Sequence, residues 1–253
     1  MILLFTDFGL EGPYTGQVKA VLWREAPGVP VFDLFADAPA QRPLESAYLL
    51  AAYAGGFPAG SVFLCVVDPG VGGDRPPMAV EIDGRWFVGP GNGLFEPLLR
   101  RAGSVREFLI PPPGRPVSAS FHGRDLFAPV AGGLAAGRLP AELGLRAQSA
   151  PRFSDWPDDL PAIVYVDHYG NAMTGLRAAM LPDSVHLQLG ARAVRRARTF
   201  SDVPIGAPFW YENANGLAEI AVNQGRADRL LSIAVGFPVQ VIERSADAPG
   251  EPI

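Results

Sequence analysis

The sequence predicts an α/β N-terminal domain with a mainly parallel sheet, followed by a smaller, mainly antiparallel β domain. Three observations carry this. The first 67 residues alternate apolar runs with amphipathic stretches in a β-α-β-α-β rhythm, which implies parallel strands joined by right-handed crossovers. Beyond residue 161 the pattern changes to short strand-like runs separated by turns, with no long helical stripe. Between the two lies a stretch rich in Pro, Asp and Ser with few periodic apolar positions, residues 149–161, which reads as a linker. The expected domains are therefore 1–148 and 162–253.

Ile2–Phe5 reads as a buried first strand ending in Thr6-Asp7-Phe8-Gly9. Pro13 can open a helix, and Tyr14, Val18, Val21 and Leu22 recur at i, i+4, i+7 and i+8. Val31–Phe35 is a second short strand. Pro43 opens a helix that is apolar at Leu44, Ala47, Tyr48 and Ala51 and stops at Gly55-Gly56. Ser61–Val67 has no polar alternation, as suits a strand covered on both faces. It ends in Asp68-Pro69-Gly70-Val71-Gly72-Gly73-Asp74-Arg75, where Gly70 is expected to take the positive φ of a type II turn. Met78–Ile82 and Arg85–Val88 flank Asp83-Gly84, a hairpin signal. A second glycine-rich loop, Gly89–Gly93, leads to a helix expected from Leu94. Ala119–Asp125 precedes another expected helix, Leu126–Leu134, and places His122 between a strand end and a helix start. The second domain should carry strands at Ile163–Val166, Val185–Leu189, Phe209–Tyr211, Ala218–Val222 and Val239–Ile242.

Bulk composition narrows the function classes. At 253 residues, 48% hydrophobic and 19% charged, the chain is globular rather than disordered. A net charge of −5 supplies no basic surplus for releasing counterions from a nucleic acid, so no nucleic-acid partner is expected. No apolar run approaches the ~20 residues of a membrane helix, and no export signal is read at the N-terminus, so a cytoplasmic location is expected. Cys65, the one cysteine, sits in an apolar strand and offers neither a disulfide framework nor a thiolate cluster.

Taken singly, the polar clusters are ambiguous. Asp68 at the C-terminal end of a buried strand occupies the usual ligand crevice of an open α/β sheet, yet Asp-Pro-Gly is also an ordinary turn. Asp7 ends strand one and could hold sugar hydroxyls. The aspartyl-nucleophile phosphatase pattern needs a second acid two residues on, where Gly9 stands, and a metal-dependent phosphoesterase needs more clustered acids. His122, His168 and His186 are scattered without close His or Cys pairing, which does not make a metal site. Asp167-His168-Tyr169-Gly170-Asn171 and Tyr211–Gly216 read equally as turns or as ligand rims.

In combination the blocks resemble the S-adenosylmethionine hydroxide adenosyltransferases (S-adenosylmethionine hydrolases), relatives of the adenosyl fluoride- and chloride-forming enzymes. The matching blocks are Thr6–Gly9 with Tyr14, Gly16 and Lys19; Val67–Gly72 with Arg75; and Gly89-Pro90 with Asn92-Gly93. Phe121–Asp125, Asp167 with Gly170-Asn171, Phe200–Pro204 and Glu219–Gly225 complete the set in order along nearly the whole chain. The resemblance implies an N-terminal α/β domain coupled to a barrel-like C-terminal domain, in a homotrimer whose ligand lies between neighbouring subunits. It implies hydrolysis of S-adenosyl-L-methionine to adenosine and L-methionine, with no metal and no organic cofactor. Asp68, Arg75 and His122 would form the catalytic triad, with the proton acceptor left open between Asp68 and His122. Asp7 would bind the ribose hydroxyls, Asp167 the methionine ammonium and Asn171 the adenine edge. Phe200 would stack on adenine near the backbone of Gln224. Phe8, Tyr211 and Ala214 would complete the substrate-binding set.

Two alternatives accompany this reading. A non-catalytic adenosine or S-adenosylmethionine sensor has no need of all three triad groups. Halide transfer is disfavoured by Asp68, since an anion ~4 Å from a carboxylate at an effective dielectric of ~20 meets about 4 kcal/mol of repulsion. Gly12, Gly91 and Ala214 depart from the family pattern, the first two standing where acids are common and the third where a hydroxyl often holds the methionine end.

Overall fold

A computed structural model describes residues 1–243 and divides them into two compact units, Met1–Trp156 and a second beginning at Pro157. In chain order the first unit contains β1 (Ile2–Thr6), α1 (Tyr14–Glu25), β2 (Val31–Phe35), α2 (Pro43–Ala54) and β3 (Val62–Val66). It continues with β4 (Pro77–Ile82), β5 (Arg85–Pro90), α3 (Glu96–Arg101), β6 (Val105–Leu109), a π-helical turn (Gly123–Phe127), α4 (Ala128–Ala135) and β7 (Arg146–Ala147). Its seven strands form one mixed sheet in the order β2-β1-β3-β5-β4-β6-β7. Only the β2-β1-β3-β5 half is parallel; β5-β4, β4-β6 and β6-β7 run antiparallel. The expectation of a mainly parallel sheet is corrected accordingly, because the tight Asp83-Gly84 hairpin returns β5 alongside β4.

Strand alternation shows why this sheet needs cover on both faces. Ile2, Leu4, Val62, Leu64 and Val66 enter the core built with Val18, Val21 and Leu22 of α1 and with the 126–134 segment. Leu3, Phe5, Phe63 and Cys65 point to the opposite face and are equally buried. Helix α1 packs on α4, and α2 packs on α3. Pro43 stands at the first helical position of α2, as its fixed φ and missing N–H favour. Asp83 and Gly84, at φ 48° and 76°, make the left-handed pair that a two-residue hairpin requires.

Some local expectations are corrected. Tyr14 heads α1 but is half exposed, so the buried stripe is Val18, Val21 and Leu22. The helix expected from Leu94 starts at Glu96, after a turn closed by Glu96 N–H on Gly93 O (2.9 Å). The structure adds strands β6 and β7, and two strands of the second unit, that the sequence pattern does not predict. Gly70 does not take positive φ; Gly72 does, at 80°. Successive turns, with Val71 N–H on Asp68 O (3.3 Å) and Gly73 N–H on Gly70 O (3.0 Å), put the left-handed residue two places later. A Cβ at Gly72 would stand 2.7 Å from Ala119 O, so this glycine also lets the turn lie against the segment that leads to His122.

The segment after β7 is tied to the first unit. Glu96, nearly fully buried, accepts from Arg152 Nε (3.0 Å) and Phe153 N–H (3.1 Å), while Arg100 reaches Phe153 O (3.0 Å) and Trp156 O (2.8 Å).

The second unit holds β8 (Leu160–Val166), β9 (Ala172–Arg177), β10 (Val185–Leu189), β11 (Arg192–Arg195), β12 (Pro208–Glu212) and β13 (Leu217–Val222). A short helix, α5 (Ala227–Leu230), and β14 (Gln240–Glu243) follow. Its sheets are separate and antiparallel: β12-β13-β9-β8 and β11-β10-β14. Both contribute to one core that includes Ile163, Leu187, Trp210 and Ile220.

Gly72→Ala is expected to destabilise the protein by at least about 2 kcal/mol, combining left-handed strain with the 2.7 Å approach to Ala119 O. Thermal unfolding measures it, and an unchanged midpoint would contradict the close packing of the two segments.

Candidate active site

The parallel pairing of β1 with β3, Thr6 opposite Val66, brings their C-terminal ends together. From there the chain leaves in opposite directions, toward β2 on one side and toward the β4–β5 hairpin on the other. Such a divergence opens a crevice at the strand ends. Asp7 and Asp68 both sit there, with Asp7 N–H bonded to Val66 O (3.2 Å).

Arg75 folds back across the turn onto Asp68. Its Nε lies 3.0 Å from Oδ1 and 3.1 Å from Oδ2, and its Nη2 also contacts Oδ2. The same Nη2 meets His122 Nδ1 at 2.9 Å. Side-chain exposures of 10% for Arg75 and 4% for Asp68 make this a nearly dry ion pair. The guanidinium lies over the Phe127 ring, with Cζ 5.4 Å from its centre.

Three devices hold the array. Asn92 Nδ2 donates to Val67 O (2.9 Å), fixing the strand end that carries Asp68. His122 follows a loop, not the strand end expected, and leads into the π-helical turn, where Ala128 N–H bonds Gly123 O. Asp125 then anchors the incoming loop by accepting Ser118 N–H (2.8 Å) and pairing with Arg124.

The electrostatics follow from these contacts. Arginine has no lone pair to offer, so His122 Nδ1 must be the acceptor, and the neutral ring carries its hydrogen on Nε2. Burial and the adjacent Arg75 cation both lower the His122 pKa below the usual imidazole value. Burial raises the Asp7 pKa, and the Asp68 charge adds to it, while the Gln41 N–H (2.9 Å from Oδ2) opposes both. Gln41 takes a left-handed backbone, φ 58°, to aim that N–H. Phe8 packs edge-on against Phe121, ring centres 5.9 Å apart, and a Cβ at Gly123 would come within 3.1 Å of it.

In the second unit Asp167, Asn171, Phe200, Tyr211 and Gln224 line one cavity of about 650 Å³. Glu219, Tyr169 and Arg226, which the sequence reading did not single out as site residues, also line it. The turn and ligand readings of residues 167–171 coincide, since Asn171 N–H and Nδ2 both bond the Asp167 carboxylate (2.8 and 3.2 Å). Tyr211 packs on Phe200 with ring centres 5.4 Å apart. Ala214 is exposed on the 213–217 turn and is not part of the cavity wall. Of the other departures, Gly91 has a steric cause, as a Cβ would lie 2.9 Å from Pro76 O, and Gly12 sits at φ 97°. Among the described residues no group of three or more His, Cys, Asp or Glu is placed to hold a metal ion, and no helix is long and apolar enough to cross a membrane.

Comparison with known proteins gives consistent matches over both units. The model of the SAM hydroxide adenosyltransferase N-terminal domain matches residues 2–144, and that of the C-terminal domain matches residues 161–240. The (R)-S-adenosyl-L-methionine hydrolase of Thermus thermophilus is 40% identical over 258 residues, covering 95% of this chain and 99% of the relative. The protein of the same name from Salinispora arenicola is 36% identical, covering 93% and 95%. A crystal structure of an uncharacterized conserved protein from Thermotoga maritima superposes with TM-score 0.85 at 28% identity, over 95% of this chain and 99% of that one. A conserved hypothetical protein from Thermus thermophilus superposes with TM-score 0.75 at 38% identity, again over 95% and 99%. With both domain models matched in order on a chain that carries the Asp68–Arg75–His122 array, this protein belongs to the SAM hydroxide adenosyltransferase family.

Proposed function

We propose that this protein hydrolyses S-adenosyl-L-methionine to adenosine and L-methionine. Water attacks ribose C5′; the C5′–O bond forms as the C5′–S bond breaks, methionine leaves as a neutral thioether, and one proton is released. The sulfonium is already an activated leaving group, so in-line placement and water activation are the enzyme's tasks. The observation that carries the reading is the single Arg75 guanidinium engaging Asp68 and His122 together in a nearly dry site. The names and identities of the full-length relatives support it.

Roles follow from donor and acceptor logic. His122, with Nδ1 committed to Arg75, offers an Nε2–H to the water oxygen and orients it. Asp68 retains acceptor lone pairs beyond those used by Arg75 and takes the proton. This favours Asp68 over His122 as the base, the choice the sequence left open. Arg75, permanently charged, stabilises hydroxide character. Because Arg75 cancels much of the Asp68 charge, repulsion alone excludes a halide less strongly than the sequence suggests; against halide transfer stands the hydrolase naming of the relatives.

For the substrate we assign Asp7 to the ribose hydroxyls, with Phe8 beside it. Asp167 goes to the methionine ammonium, Asn171 to the adenine edge, and Phe200, Tyr211 and Gln224 to the ring. Ala214, exposed on the 213–217 turn, is assigned to the methionine end. The two half-sites complete each other in a homotrimer, as the resemblance implies, with no nucleic-acid or membrane partner and a cytoplasmic location. We also read the second unit as barrel-like, since isolated bridges Ala162–Pro238 and Arg196–Trp210 link the edges of its two sheets.

Chromatography of S-adenosylmethionine incubated with the enzyme tests the function. Wild type should release adenosine and methionine, with EDTA making no difference. Asp68→Asn should lower turnover by at least ~10²-fold while adenosine still binds. Arg75→Lys should lose a comparable ~10²-fold, because a point charge cannot bridge both partners. Binding without turnover in wild type would make the protein a sensor, and loss of activity in EDTA would bring back a metal-dependent reaction. The acid limb of kcat should fall below pH 6.5, the ordinary imidazole value, since burial and Arg75 keep His122 neutral to lower pH. An acid limb centred at or above that value would contradict the neutral His122.

A further inference from the structure

Strand β13 reads Leu217-Ala218-Glu219-Ile220-Ala221-Val222, and all six residues are buried. A carboxylate inside such a strand, 3% exposed, carries a large desolvation cost unless its partners demand it. They do. Tyr211 OH donates to Oε1 (2.6 Å) and Asn213 Nδ2 to Oε2 (2.8 Å), and the Asn171 side chain, bonded to Asp167, stands beside the same group and favours its charged form. Asn213 in turn accepts the N–H groups of Asn215 (2.9 Å) and Leu217 (3.0 Å), closing the 213–217 turn. One carboxylate therefore joins β12 and that turn, with the 167–171 turn beside it at the cavity. Two donors, the Tyr211 hydroxyl and the Asn213 amide, converge on it, and an ionised carboxylate accepts one on each oxygen. A glutamine removes the charge and keeps both contacts only if Tyr211 turns its hydroxyl to accept, which weakens two charge-assisted bonds.

We propose that Glu219 is the positioning residue of the C-terminal half-site, locking Tyr211 and Asn171 in the orientation that receives the adenosyl group. The inference rests on the reading of this cavity as the substrate site. The groups facing Glu219 define its titration. Burial raises its pKa and the Asp167 charge adds to this, while the bonds from Tyr211, Asn213 and Asn171 oppose. Arg226 lines the same cavity but is engaged by Asp228 and His168 O, and Tyr169 stands at the rim. Protonation would remove an acceptor and loosen the array, so substrate binding weakens as pH falls.

The test uses full-length wild type, Glu219→Gln, Tyr211→Phe and Asn171→Ala. Steady-state kinetics with S-adenosylmethionine and calorimetry with adenosine are run from pH 4.5 to 8. Glu219→Gln should raise KM roughly tenfold or more with kcat changed less than about threefold, since hydrogen bonds to a charged group are lost from binding alone. Its KM should also lose the part of the acid-side rise that Glu219 titration contributes in wild type, leaving the part due to Asp7. Unchanged KM, a fall in kcat instead, or a pH profile identical to wild type would overturn the proposal. Should Glu219→Gln fail to fold, Tyr211→Phe cuts one bond and must still raise KM selectively. If Asn171→Ala leaves both KM and adenosine affinity intact, the cavity is not the substrate site, a different failure that the other variants cannot mimic.

Discussion

One guanidinium ties together the polar groups gathered at the strand ends of the first unit. Arg75 satisfies both oxygens of Asp68 and fixes the imidazole of His122, so a single fork decides the charge, the tautomer and the spacing of the site. A lysine carries the same charge but lacks the planar geometry to do this. Because the pair is nearly dry, its Coulomb attraction is little screened, and the same dryness makes either partner alone costly to bury.

The rest of the first unit serves that contact. Alternating strands buried on two faces hold β1 and β3 rigidly, and their parallel register delivers Asp7 and Asp68 to one crevice. Gly72 brings the Asp68–Arg75 turn against residue 119, three positions before His122, and the π-helical turn after His122 aims the ring. Segments far apart in sequence thus meet without room for a single added methyl group at Gly72. The second unit repeats the strategy with a different hub, a buried carboxylate in a strand that joins an aromatic hydroxyl and a side-chain amide.

Much of this was legible in the sequence, for physical reasons. Strands β1 and β3 announce themselves as unbroken apolar runs, and Asp83-Gly84 as a left-handed pair. What escaped depends on distant contacts. The positive φ falls on Gly72 rather than Gly70 because two successive turns run through residues 68–73, and α4 starts late because a π-turn breaks the 3.6-residue period. Strand β6, Val-Arg-Glu-Phe-Leu, has too little alternation to identify alone, and β9 carries Gly and Thr among its apolar residues. The motif blocks pointed to Asp68, Arg75 and His122, yet separations of 7 and 47 residues say nothing about one nitrogen serving both partners. Glu219 was visible as an acid in an apolar strand, a signal for a buried hydrogen-bond hub that the motif match did not explain.

On the proposed reading, water oriented by the Arg75 array attacks C5′ directly. The most direct measurement is mass spectrometry of adenosine formed from S-adenosylmethionine in ¹⁸O-labelled water containing chloride. Direct attack predicts one ¹⁸O at the 5′ oxygen, and no 5′-chloroadenosine. Adenosine without label, or a chlorinated product, would contradict it.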